Sequence, residues 1–355
     1  MIIKSHTKNY NVLIHKDFKF LDELKKIENS FWAIDKKVYD LYRNSLFDDI
    51  KDNILLIDAL EEKKTIETAL DICEAMTAIP AKRNSTLISI GGGIIQDITG
   101  FAANILYRGV NWEFVPTTLL AACDSCIGGK TSLNYKKYKN LLGTFFPPNN
   151  IHICSNFFES LSLLDFESGL GEVVKFNILS GHSDMNEIES DFVDLLDRKP
   201  EIVDKYLKKS LEFKKRFIEE DEFDRGIRIH LNFAHTFGHA FETMSNYAIP
   251  HGTAVAMGTI AANKVSLLRG WLDEQTVGQA ERLLLPIINI DINSITPDMD
   301  KIVSAVRKDK KQIGNAITLV LIKGSDMETK VVYDGTVEEI ETAISYLFDL
   351  LRKKH

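Results

Sequence analysis

Between residues 31 and 118 the chain switches repeatedly between two spacings of apolar residues, and this switching narrows its first half to one kind of fold. FWAID (31–35) and NILLID (53–58) are short apolar runs rich in strand formers, each ending at an acidic residue. KKTIETALDICEAMTAI (63–79) instead repeats Ile66, Leu70, Cys73 and Met76 every three or four positions, which makes one face of a helix. STLISIGGG (85–93) is an apolar strand running into three glycines. IIQDITGFAANILYRG (94–109) reads as a helix closed by Gly109, and WEFVPTT (112–118) as another buried strand. Strand–helix alternation of this kind predicts a parallel α/β sheet.

The second half reads differently. From about residue 161 to 290 the pattern is helical, as in ESGLGEVVKFNIL, KKSLEFKKRFIEEDE and GTAVAMGTIAANKVSLLRG. Only AITLVLIKG (316–324) returns to a strand signature, and TVEEIETAISYLFDLLRKKH (336–355) closes as an amphipathic helix with basic residues in its last turn. The shift near residue 160 predicts an α/β domain over 1–160 and an all-α, or mainly helical, domain over 161–355. No Gly/Ser/Pro-rich linker separates them, so we expect close packing with a cleft between. A hydrophobic share of 45% and a charged share of 26% suit a soluble globular chain. Four cysteines in 355 residues do not make a disulfide framework. A net charge of −8 argues against a nucleic-acid-binding surface. No leader-like or membrane-spanning run is visible, so the expectation is a cytoplasmic protein with no membrane partner.

Four constellations could carry chemistry. Gly91-Gly92-Gly93 follows a strand, opens a helix and precedes Asp97. Glycines admit a close-approaching pyrophosphate, and the helix start offers free N–H groups, although this is not the GxGxxG fingerprint. A plain tight turn is the competing reading. The second constellation is His235-Thr-Phe-Gly-His239 with His251 beyond it and Glu172 upstream. Two imidazoles and one carboxylate are a composition typical of catalytic zinc. The i, i+4 spacing puts His235 and His239 on one face, but spacing does not decide which two histidines bind. Third, cations stand beside small polar residues: Lys130 in GGKTS, Lys139-Asn140, Lys175, Lys214-Lys215, and Arg228 with Asn232. Most such charges are solvated. Lys175 is the exception, three residues after Glu172 in an apolar helix and so on the same face. Fourth, Cys123-Asp-Ser-Cys126 is a single CxxC, which reads as two small buried side chains. The charge run RKDKK (307–311) reads by itself as a solvated face.

Taken together, these stretches resemble 3-dehydroquinate synthases. The matching segments are 91–109, VPTTLLAACDSCIGGKTSLNYKKYKNLLGTFFPP (115–148), GLGEVVKFN (169–177), RIHLNFAHTFGHAFE (228–242), HGTAVAMG (251–258) and KDKK (308–311). The resemblance implies an N-terminal domain binding NAD, a C-terminal domain binding zinc (or cobalt), and an active site between them. It implies Glu172, His235 and His251 as metal ligands, which revises the i, i+4 reading and turns His239 to the substrate. It implies NAD contacts from Asp35, Glu61, Lys64, Gly92, Gly93 and Asp97, with Thr117, Thr118, Lys139 and Ser160 as further candidates. Asp124, Lys130, Asn140, Lys175, Lys214, Arg228, Asn232 and His239 would line the substrate pocket, joined by Lys310 or Lys311. Arg108 would reach a neighbouring subunit, which implies a homodimer. The implied substrate, 3-deoxy-D-arabino-heptulosonate 7-phosphate, is an anionic sugar phosphate whose carboxylate and phosphate pair with such cations.

The chain departs from the family pattern in places. Gln96 stands where a glycine is usual, Thr253 where the HGE motif has glutamate, Ala234 where glycine precedes His235, and Phe176-Asn177 where Tyr-Gly is common. Three other readings compete: a related cyclase acting on an amino or other sugar phosphate analogue, a metal-dependent polyol dehydrogenase, and a silent homologue serving as a scaffold. The dehydrogenase would need neither the GGKT…KN segment nor the Lys214/Arg228 pair, and the scaffold would be expected to have lost a ligand or several pocket cations.

Overall fold

The computed structural model describes residues 1–79, 83–136, 138–291, 298–308 and 317–354. The chain forms two compact units, Met1–Leu161 with Ile218–Phe223, and Ser162–Phe217 with Asp224–His355. Residues 218–223, expected in the second domain, join the first. Lys4 N–H donates to Glu219 at 2.6 Å. Ser5 Oγ, His6 N–H and Thr7 Oγ1 donate to Glu222 at 2.6, 2.5 and 2.9 Å. Glu222 is buried, and a buried carboxylate must find donors. Here they lie more than 200 positions away, a relation that local patterning does not carry.

The first unit is built on a seven-stranded sheet in the order β1-β2-β9-β6-β5-β3-β4. The strands are β1 (Ile2–Ile3), β2 (Tyr10–His15), β3 (Ser30–Asp35), β4 (Ile54–Ile57), β5 (Thr86–Gly91), β6 (Asn111–Pro116) and β9 (Asn150–Cys154). All pairings are parallel except β1 with β2. The four apolar runs read from sequence are β3, β4, β5 and β6. Every residue of β5 is buried, as expected for a parallel strand covered on both faces. β7 (Lys130–Tyr135) and β8 (Tyr138–Phe145) form a separate antiparallel hairpin. β3 lies between β4 and β5, so the strand order reverses there. Ligands of open α/β sheets bind outside the carboxyl ends of strands at such a reversal. Asp35 ends β3, Gly91 ends β5, and Gly91 is paired with Pro116 at the end of β6.

The second unit is mainly helical, with one exception to the all-α expectation. β10 (Ile317–Lys323) pairs with β11 (Glu328–Gly335) as an antiparallel hairpin. β10 is almost wholly buried and was legible as an apolar run. β11 is polar and largely half-exposed, so its strand character comes from its partner. Three helices matter most: Leu163–Leu179, His235–Met244 and His251–Leu268. The first and third cross with their backbones in contact. A Cβ on Gly171 would lie 2.0 Å from the Gly252 carbonyl oxygen, and one on Gly252 would lie 1.7 Å from that of Ser168. Only glycine fits at this crossing, and it sets Glu172 beside His251, each being the neighbour of a crossing glycine. Gly258 does the same for the second helix, since its Cβ would meet Ala234 O at 2.3 Å. Among the described residues no helix is long and apolar enough to cross a membrane.

Candidate functional site

In the second unit the glycine crossings bring Glu172, His235 and His251 together, with one ligand atom from each within 4.8 Å of the others. His235 Nε2 and His251 Nε2 lie 3.5 and 3.7 Å from Glu172 Oε1. Ligands about 2.1 Å from a tetrahedral zinc ion would stand about 3.4 Å apart, so the set fits such an ion. Glu172 is fully buried; its Oε2 is ion-paired with Lys175, while Oε1 accepts no hydrogen bond within the protein. An unmet buried carboxylate oxygen is what a metal would satisfy. His235 Nδ1 lies 3.0 Å from Phe233 O, which fixes Nδ1 as the donor and leaves Nε2 for the ligand position.

Lys175, also fully buried, approaches Glu172 Oε2 to 2.5 Å and donates to Leu231 O at 3.3 Å. Burial alone would raise the Glu172 pKa, but Lys175 and His251 outweigh it and hold the carboxyl below its ordinary value, at about 2. Burial would likewise lower His251, yet Glu172 and Glu242 together push it above the ordinary imidazole value. His251 thus faces a carboxylate at each ring nitrogen, Glu172 from Nε2 and Glu242 Oε1 from Nδ1 at 3.4 Å. His239, Glu242 and His251 form a second group close enough to share a cation. Glu242 was missed in the sequence, although its spacing of three and seven from His239 and His235 repeats one helix face. Thr253, the departure in the HGE motif, is buried with an unpartnered hydroxyl. Lys214 and Arg228 are buried, Asn232 is half-buried and His239 is exposed.

In the first unit the candidates fall into two linked groups. The first surrounds the glycine turn. Thr117 N–H donates to Gly91 O at 3.0 Å, and a Cβ on Gly92 would lie 3.1 Å from the Thr118 methyl. None of the three glycines has a positive φ, so their role is close approach at the start of the Gly93–Ile105 helix. Asp35 caps the helix after β3 by accepting from Lys37 N–H at 2.9 Å. Burial raises its pKa against that bond. Asp124 sits in a π-helical turn, Ala121–Ser125, a geometry frequent at functional sites.

The second group centres on Lys64. Its ammonium reaches Asp97 Oδ2 at 2.5 Å and Asn140 Oδ1 at 2.7 Å. Ser132 donates its backbone N–H and its hydroxyl to Asp97 at 2.9 and 3.0 Å. Asn134 joins Glu61 at 2.8 Å and accepts from Asn140 N–H at 2.9 Å, while Lys139 lies 3.5 Å from Glu61. Asp97, on the glycine-turn helix, ties the two groups together. Its pKa is raised because burial outweighs Lys64 and Ser132. Ser132 and Asn134 were not singled out from sequence. The hairpin register that turns them toward Asp97 and Glu61 is a tertiary fact.

Other candidates stand apart. Ser160 is exposed and bonds within its own turn, donating to Phe157 O at 2.9 Å. Lys130 is exposed at the start of β7. Arg108 is exposed, and it and Tyr107 hold positive φ of 65° and 52°, strain that accumulates at functional positions. Cys123 and Cys126 are buried thiols that form no disulfide among the described residues. Lys310 and Lys311 lie outside the described residues.

Comparison with known proteins accords with this arrangement. Residues 54–168 match the family described as 3-dehydroquinate synthase N-terminal, and residues 169–312 match 3-dehydroquinate synthase C-terminal. The chain is 35% identical to 3-dehydroquinate synthase of Clostridium tetani, covering 93% of this chain and 89% of that protein. It is 34% identical to 3-dehydroquinate synthase of Dictyoglomus thermophilum, covering 91% and 86%. Among solved structures, 2-epi-5-epi-valiolone synthase from Streptomyces hygroscopicus, with NAD+ and Zn2+ bound, superposes with a TM-score of 0.84 at 24% identity over 99% of both chains. A 2-deoxy-scyllo-inosose synthase complexed with carbaglucose-6-phosphate, NAD+ and Co2+ gives 0.82 at 22% identity over 98% of both. At these identities the two structures speak for the fold alone.

Proposed function

The chain belongs to the 3-dehydroquinate synthase family, and from that premise we propose that it converts 3-deoxy-D-arabino-heptulosonate 7-phosphate to 3-dehydroquinate and phosphate, using NAD and a divalent ion, zinc or cobalt. The observation that carries this reading is the buried Glu172, whose Oε1 accepts no hydrogen bond and has two imidazole nitrogens within 3.7 Å. Glu172, His235 and His251 would hold the ion, while Asp35, Gly92, Gly93, Asp97, Thr117 and Thr118 would hold the dinucleotide. When bound, the ion polarises adjacent substrate hydroxyls and the dinucleotide accepts and returns one hydride, so no net redox partner is needed.

The protein's own groups bind and orient. Lys130, Lys214 and Arg228 would pair with the substrate carboxylate, and Arg228 can do so with a planar fork. Asn140, Asn232 and His239 would serve the phosphate, with His239 exposed on its helix. Lys175 stands beside Glu172, where it would steady the site and stabilise negative charge developing on substrate oxygen. The Lys64–Asp97 pair would fix the nicotinamide end. Exposed Arg108 on its strained turn would serve a second copy of the chain, making the protein a homodimer. The carboxylate-pairing cations favour a substrate that has a carboxylate over an inosose-type substrate, which lacks one.

The test is to mix purified protein with NAD, zinc and the heptulosonate phosphate, and to follow phosphate release and carbocycle formation. Release is expected, and both a chelator and Lys175→Ala should abolish it. Full activity of His235→Ala would overturn the metal assignment. Net NADH formation from a simple polyol would favour the dehydrogenase reading instead.

A further inference from the structure

Gln96 is polar and buried to 3% exposure. Both ends of its amide are used by one residue. Nε2 donates to Ser125 O at 2.7 Å, and Ser125 Oγ donates back to Oε1 at 2.7 Å. Its backbone N–H meanwhile closes the first helical turn on Gly92 O at 3.0 Å. One residue therefore joins the glycine turn to the end of the π-helical segment Ala121–Ser125 that carries Asp124. The other end of that segment is held as well. Thr117 N–H bonds Gly91 O, Thr118 rests on Gly92, and Ala121 N–H donates to Thr118 Oγ1 at 3.2 Å. A Cβ on Gly93 would lie 3.6 Å from Ser125 Oγ, so that hydroxyl packs directly over the turn.

We infer that Gln96 is a positioning residue, a brace that fixes Asp124 relative to the dinucleotide-binding glycine turn. The physical reason is the helix end. A segment that stops after five residues leaves its last carbonyls without helical partners, and the Ser125 carbonyl would otherwise need water. A glycine at position 96 supplies no such partner. Gln96 does, and the bond removes the freedom of the Asp124 turn to shift against the helix that follows the glycines. The assignment of a reaction role to Asp124 rests on the proposed function, whereas the brace itself does not.

The test uses full-length Gln96→Glu, which keeps size but loses the donor, and Ser125→Ala, which removes one bond of the pair. Backbone hydrogen exchange over 121–126 should accelerate about fivefold in Ser125→Ala, which loses one bond worth about 1 kcal/mol, and at least as much in Gln96→Glu, which loses the other and sets two oxygens against each other. NAD affinity should stay within about threefold, because the glycine turn is intact. On the heptulosonate phosphate, kcat should fall about tenfold with a smaller change in KM, and Gln96→Glu should add little to Asp124→Asn, as expected of two residues acting as a unit. Wild-type exchange rates over 121–126 in both variants would overturn the brace. So would losses that multiply in the double variant, or a lowered melting temperature with kcat unmoved. If Gln96→Glu does not fold, Ser125→Ala decides by the same exchange readout. If the wild type releases no phosphate, the proposed reaction falls while exchange still judges the brace.

Discussion

Ala234 holds φ at +71° immediately before His235, the left-handed region in which an L side chain costs roughly 1–2 kcal/mol. Glycine adopts this conformation without that cost. Ala234→Gly should therefore stabilise the protein by about 1 kcal/mol net of the extra freedom glycine has when unfolded. Urea unfolding checks this, and a lower midpoint would contradict the strain argument. Glu242 acts on a neighbouring side chain. It faces Nδ1 of His251 at 3.4 Å, and so orients the ring whose other nitrogen faces Glu172. Glu242→Gln should weaken zinc binding by about 10–100-fold in chelator competition, the usual effect of losing a carboxylate behind a ligating histidine. An affinity within twofold of wild type would mean that His251 is held in place by its helix alone. Thr253 offers His251 no carboxylate, and Glu242 reaches it from a different helix.

At the scale of elements, two devices decide where the candidate residues end up. One is the glycine crossing of the Leu163–Leu179 and His251–Leu268 helices, which permits carbonyl contacts that no larger residue allows. The other is the docking of 218–223 against the N-terminal residues through Glu222. Burial would raise the pKa of Glu222, but donors from Ser5, His6 and Thr7 outweigh it and lower the pKa below the ordinary 4.5. The sign follows from linkage: a carboxyl depressed in the folded state adds stability above its unfolded pKa, and that stability is lost as pH falls through the folded value. Glu222→Gln should thus cost about 2 kcal/mol at pH 7. The gap to wild type should close as pH drops below 4.5. Unfolding measured across that range checks it, and a gap constant with pH would rule out the ionised form as the source.

For the whole molecule, the open matter is whether one chain suffices for activity. Arg108 is exposed on a strained turn. If it serves a second copy, then Arg108→Ala and His235→Ala proteins, each inactive alone, should regain about a quarter of wild-type activity when unfolded and refolded together. Half of the dimers are then mixed, and each mixed dimer holds one complete site. No recovery on mixing would mean that Arg108 acts within its own chain.

Much of this protein is written in local pattern. Periods of two and 3.6 residues marked β3 to β6 and the helices around them, because backbone sterics and apolar spacing act over a few neighbours. The glycine turn, the clustered histidines and the Glu172–Lys175 spacing were legible for the same reason. What local pattern could not settle was which groups meet. Choosing His251 over His239 opposite Glu172, seating Ser132 and Asn134 beside Asp97 and Glu61, returning 218–223 to the first unit, and joining Gln96 to Ser125 all depend on contacts between residues distant along the chain. Such contacts are set by close packing of helices and strands, where a single Cβ at Gly171 or Gly252 would part the surfaces that hold the site together.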